Sequence, residues 1–148
     1  GVGTANTASN VLDDYEEGTF TATIADSDGG AVGPNVTGKY TKIGNQVHIS
    51  FGSFNNIDTT GLSSSSVARV QGLPFTVGNT YGATGSWIFN NINQNAATLQ
   101  ITPVAITGQA YIHFIQMGKN NASATCTCVN FTDDTADIIA LSLTYLVA

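Results

Sequence analysis

The feature that most restricts the fold is a two-residue alternation of apolar and polar side chains, broken by glycine, asparagine and aspartate, with almost no helical period. Successive side chains on a strand point to opposite faces, so this pattern marks strands with one face toward a core. Thr19, Thr21 and Thr23 alternate with Phe20, Ala22 and Ile24, a composition suited to a pleated surface. Residues 38–43 then meet residues 46–51 across Gly44-Asn45. A two-residue loop with glycine predicts a hairpin, because the favoured turns need positive φ. On its second arm Val47, Ile49 and Phe51 share the face predicted to be buried, and His48 and Ser50 take the other.

Further strands are predicted at residues 67–72, 81–89, 97–102, 110–117, 123–131 and 137–147. Residues 55–66 are predicted to form an exposed loop. Gly72-Leu73-Pro74-Phe75 is predicted to form a corner, since proline brings no N–H to a ladder. Residues 90–95, 103–109 and 132–135 complete the connections. In the last strand Ile139, Leu141, Leu143, Tyr145 and Val147 are predicted to face the core. Ile138, Ala140, Ser142 and Leu146 fall on the opposite face, small and mixed enough to meet a neighbouring subunit. About eight or nine short strands predict an all-β fold, an antiparallel two-sheet sandwich with jelly-roll connectivity.

Composition bears on what such a domain does. Only 9% of residues are charged, against roughly 25% in an ordinary soluble domain, so Ser, Thr, Asn and Gly must keep the surface wet. Net charge is −6, with Lys39, Lys42, Arg69 and Lys119 as the fixed cations. No basic patch is available to neutralise phosphates, which excludes nucleic acid as a partner. No apolar run approaches the ~20 residues of a membrane-crossing helix. A basic segment followed by an apolar one is missing at the start, and Gly1 in place of Met points to a piece of a longer protein. Cys126 and Cys128 lie two apart on one strand face, where a bridge would be strained and zinc would lack its other ligands. They are read as small packed thiols.

Three segments carry a family resemblance. Residues 10–20, with Leu12-Asp13-Asp14-Tyr15-Glu16-Glu17-Gly18-Thr19-Phe20, resemble the segment that introduces the terminal β-domain of phage tail-fibre and tailspike proteins, where the last position is usually Trp. Gly38-Lys39-Tyr40-Thr41-Lys42-Ile43-Gly44-Asn45 and Gly72-Leu73-Pro74-Phe75 follow in the family's order. The resemblance covers the first half of the chain. It implies a homotrimer on a virion tail appendage, assembled in the host cytoplasm and joined to an upstream shaft. Residues 1–17 are then a connector or neck, and residues 18–148 the β-domain. The implied role is recognition of a host cell-surface glycan together with trimer assembly. The alternatives are a purely structural trimerisation cap, a head or capsid fibre domain, or a polysaccharide-degrading tailspike domain.

For glycan binding the useful groups are aromatic faces beside amides. Trp87 and Tyr81 are the leading candidates, with Asn90 and Asn91 as hydrogen-bonding neighbours of Trp87 and Tyr111 as a third aromatic; Asn93 and Gln94 lie close in sequence. A lone Trp in a β-fold is otherwise a core residue. Asp13, Asp14, Glu16 and Glu17 are read as a solvated connector, since their spacing lacks the pattern of a calcium loop. The remaining acids sit in connections, and nothing in the sequence pairs two of them across a glycosidic bond. His48 and His113 lie on predicted strands with no nucleophile or orienting acid marked for them. No catalytic residue, metal site or cofactor is therefore expected, and the chain is read as a non-enzyme.

Overall fold

The structure, a computed structural model, describes residues 14–79, 82–94, 98–118, 123–131 and 135–147, with the side chains at 33 and 34 left aside. The chain is all-β. The described residues form ten strands: β1 (Tyr15–Asp26), β2 (Ala31–Ile43), β3 (Gln46–Phe51), β4 (Phe54–Ile57), β5 (Ala68–Gln71), β6 (Ala83–Asn90), β7 (Thr98–Ala105), β8 (Tyr111–Gly118), β9 (Ser123–Thr125) and β10 (Ala136–Leu146). A 3-10 turn, Cys128–Phe131, precedes the last strand.

Eight strands close an antiparallel barrel in the order β3-β2-β1-β5-β8-β7-β6-β10, with β10 returning to pair with β3. β4 and β9 lie outside this ring, on β10 and β8. Hydrogen bonding thus runs through one closed sheet, not through the two separate sheets expected from the sequence. Consecutive strands pair as two meanders, β1-β2-β3 and β6-β7-β8, joined through β5 and β10, which is not a jelly-roll order. Register shifts within the β1–β2, β7–β8 and β10–β6 ladders bend the strands, and bending at bulges is what lets a ladder turn a corner without breaking.

The central hairpin forms as predicted, with Ile43 opposite Gln46 and Gly38 opposite Phe51. Gly44 has φ +58°, while Asn45 is not in the positive region, the arrangement of a type II′ turn. Val47, Ile49 and Phe51 are buried and His48 and Ser50 exposed. The loop expected at residues 55–66 is shorter than predicted, because Phe54 and Ile57 are buried and β4 continues the line of β3 along β10. The strand expected at residues 123–131 stops at Thr125 and gives way to the 3-10 turn.

The last strand shows a change of phase. Its register shifts between Ile138 and Ala140, so Ala136 and Ile138 point inward on one side of the bulge and Leu141, Leu143 and Tyr145 on the other. Ile139, expected in the core, is 44% exposed, and Ile138, expected at a subunit interface, is fully buried. One extra residue in a strand exchanges the faces of everything beyond it.

The interior is filled from all sides of the ring by Phe20, Ile49, Phe54, Val70, Ile112, Phe114, Leu141 and Tyr145. Phe20, at the position usually held by Trp in the resembling segment, is a core anchor set edge-on to Phe51. It also lies over Gly38, where any Cβ would come within 2.3 Å of its ring.

Candidate functional site

The barrel wall opens between β6 and β7. β6 and β7 pair only at Ala83 with Ala105 and at Thr84 with Val104. The next residue of β7 is Pro103, which has no N–H to extend the ladder toward β6. Beyond that point the two strands diverge and leave a groove of about 410 Å³, within the size range of small-ligand clefts. The sequence reading placed Pro103 in a connection, so this opening was not foreseen.

Trp87 bridges the gap, its indole N–H donating to the carbonyl of Ile101 on β7 at 2.9 Å. Its ring stacks on buried Phe114 at 4.6 Å and against Phe89 at 4.5 Å. The indole is therefore largely engaged by the protein, and it contributes an edge to the groove more than an open face. The remaining walls come from Ser86, Gln94, Leu99, Gln100 and Thr102. Leu99 is 71% exposed, and Gln100 donates to the Thr102 hydroxyl at 2.8 Å. Among the described residues that line it, none is charged. Of these groups the sequence pointed only to Trp87 and Gln94; the others become visible once β7 is known to face β6 across a gap.

The remaining candidates scatter. Tyr81 lies outside the described residues. Asn90 is exposed at the end of β6. Asn91 has φ +51° and its amide donates to the Thr135 carbonyl at 3.1 Å, so it holds a turn. Tyr111 is on β8 beside inward-facing Ile112, and thus on the outer side of the wall from Phe114, on which Trp87 stacks. Trp87 and Tyr111 do not form one platform.

The face proposed for subunit packing is partly preserved. Ala140 and Ser142 do point outward, level with Ser50 on β3 and with Ser86 and Ile88 on β6. Together they line a shallow trough of about 290 Å³, with Ile88 61% exposed beside it. Leu146 is half-buried at the strand end. Ile138 is excluded from this face by the bulge.

Several charged groups prove to be engaged structurally. Asp26 is buried, accepting the N–H groups of Asp28, Gly30 and Ser63 at 3.0, 2.8 and 3.1 Å. Those bonds, chiefly the one from Ser63, hold its carboxyl below the ordinary range. Ser66 donates to Asp28, so the β1–β2 turn is fastened to the loop before β5. Tyr40 donates to Glu16 at 2.5 Å. His48 shares a hydrogen bond with Thr144 at 3.0 Å. Cys126 and Cys128 are buried and unbridged, and burial pushes each thiol from 9.0 up to about 11, far from the reactive range. Among the described residues no three His, Cys, Asp or Glu side chains gather as a metal set.

Comparison with protein-family models, with curated proteins and with solved structures gives no match.

Proposed function

We propose that this domain is the terminal β-module of a trimeric phage tail fibre or tailspike, and that it holds an uncharged stretch of host-surface glycan in the groove between β6 and β7. The observation carrying this reading is the groove itself. It is an opening between two strands of the barrel wall, with a Trp edge, an exposed Leu and neutral amide and hydroxyl groups. Apolar patches for sugar C–H groups, with a few convergent polar groups for hydroxyls, are what such a ligand needs. None of the described residues that line the groove is a carboxylate, so neither acid of a glycosidase pair is found among them, and the reading is binding without cutting.

The test is a titration with neutral oligosaccharides, following the indole N–H resonance of Trp87. Gln100→Ala and Leu99→Ala change exposed positions and leave the core intact; each is expected to weaken binding. Saturating resonance shifts that both variants leave unaltered overturn the assignment to this groove. Light scattering at micromolar concentration checks the trimer, and an obligate monomer overturns that part.

A second reading, a cap that drives trimer assembly with recognition elsewhere, is favoured by the trough of Ala140, Ser142, Ser50 and Ser86 beside exposed Ile88. Small side chains let another backbone approach closely. Deleting the domain from the full appendage separates the two: a cap costs trimer formation, a receptor module costs adsorption.

A further inference from the structure

Arg69 on β5 stands directly opposite His113 on β8. Both point outward, because the next pair in the ladder, Val70 and Ile112, is fully buried. The guanidinium carbon of Arg69 lies 4.9 Å from the ring centroid of Tyr111. Tyr111 in turn stacks on His113 at 5.0 Å with 19° between the planes. A cation, a phenol and an imidazole thus form one ordered cluster on the outside of the barrel.

Two observations separate Arg69 from an ordinary surface arginine. Its Nε is covered and has no hydrogen-bond acceptor, and among the described residues no carboxylate pairs with its guanidinium. This occurs in a chain with ten acids and only four fixed cations, where a pairing partner would be easy to supply. The positions around the cluster that reach the outer surface are Gln71 on β5, Thr23 on β1, Val104 on β7 and Ile115 on β8. None is acidic. A guanidinium resting over an aromatic ring can still offer its two terminal nitrogens to a planar, bidentate acceptor.

We propose that Arg69, Tyr111 and His113 form a docking point for the carboxylate of an acidic saccharide, such as a uronic acid residue. The carboxylate meets the Arg69 edge, and His113 supplies a second donor. Gln71 and Thr23 lie in line with the cluster; the Gln71 amide matches ring hydroxyls, and the Thr23 hydroxyl, which donates to Asn35 at 2.8 Å, can accept from one. Burial, and then the charge of Arg69, hold the His113 imidazole below its ordinary range, so it is neutral near pH 7. A bound carboxylate offsets the charge of Arg69 and favours the protonated imidazole, so binding strengthens as the pH falls below neutral. This site stands apart from the β6–β7 groove, and either assignment can fail without the other.

The experiment is an NMR titration of the intact domain with a trigalacturonate, compared with its neutral methyl ester and with a triglutamate peptide. Expected are saturating shifts at His113 and Arg69, a raised His113 pKa in the complex, and no shifts at these residues from the ester or the peptide. Arg69→Gln should weaken binding by about tenfold or more, the loss of one charge-assisted pair. His113→Gln should leave binding at pH 7 and remove its rise at lower pH, which keeps the proposal testable should Arg69→Gln fold poorly. Absence of shifts at millimolar trigalacturonate overturns the site, as does equal binding of the ester. Equal binding of the peptide overturns its assignment to saccharides.

Discussion

Replacing Gly72 by alanine tests how tightly the corner after β5 is set against β1. Gly72 has φ +95°, and a Cβ there would lie 2.1 Å from the Thr21 carbonyl oxygen. Gly61 is the matched control, with φ +92° and nothing within 4 Å of an added Cβ. Both substitutions carry the backbone penalty of a side chain at positive φ, on the order of 1–3 kcal/mol. Both recover about 0.4–1 kcal/mol from the less flexible unfolded chain. Those contributions cancel in the comparison.

What remains is the collision. Thr21 is paired with Thr37 within the β1–β2 ladder, so its carbonyl cannot swing aside as a flexible side chain would, and the corner must move by more than 1 Å to restore an ordinary contact of 3.4 Å. Displacements of this kind cost ~1–3 kcal/mol. With a urea slope near 2 kcal/mol/M, Gly72→Ala should unfold about 0.5–1.5 M earlier than Gly61→Ala. Equal midpoints, within the equivalent of about 0.5 kcal/mol, would refute the close approach of the corner to β1.

Further predictions concern the core and its ionisable groups. Phe114→Ala removes a fully buried ring that touches Trp87 and Phe131, and should cost ~3–5 kcal/mol in chemical denaturation. Trp87→Phe retains the stacking but loses the donor to Ile101, for about 1 kcal/mol and a wider groove. Asp26 has a lowered pKa in the folded state; its contribution is whole above the ordinary carboxylate value and is lost as pH falls through the folded one. Acidification should thus narrow the stability gap between wild type and Asp26→Asn, read by urea denaturation at neutral pH and in acid, because only wild type has this contribution to lose. Cys126 and Cys128 are raised from 9.0 to about 11, and Tyr145 from 10.0 to about 12. The folded state therefore keeps protons that the unfolded chain releases, so stability is level below pH 9 and falls above it. Cys126→Ala should flatten the first part of that decline.

The strands were legible in the sequence wherever one face is buried without interruption. In β3 the alternation of Val47, Ile49 and Phe51 with His48 and Ser50 gives the phase, and Gly44 gives the turn. Legibility fails where the deciding partner is remote. Closure of the ring depends on β10 meeting β3, with Leu143 opposite Ile49, and nothing local to either strand encodes that pairing. The bulge after Ile138 is similarly invisible, since Ile138, Ile139, Ala140 and Leu141 are all apolar and give no phase where the faces exchange. The groove arises because Pro103 falls where β6 would have paired, and the Arg69–His113 pair arises from the β5–β8 register. Each is set by a long-range contact.

The three segments that carry the family resemblance prove to be neighbours in space. Tyr40, from the hairpin segment, donates to Glu16 of the first segment and meets Phe75 of the third edge-on at 5.3 Å. Its ring lies so close over Gly18 that a Cβ there would come within 2.8 Å. The N–H of Gly44 reaches the Asp14 carbonyl at 3.2 Å, and Lys42 lies over the Phe75 ring at 6.0 Å. The Tyr145 hydroxyl, from the last strand, donates to the Phe75 carbonyl at 3.1 Å. These contacts give the segments a common physical task, fastening the first hairpin, the corner and the last strand at one end of the barrel. Glycine at 18, 38 and 72 is required by the closeness of Tyr40, Phe20 and Thr21, whatever the domain binds. The resemblance therefore speaks to how the barrel is closed. The two proposed binding sites, the β6–β7 groove and the Arg69 cluster, both lie outside it.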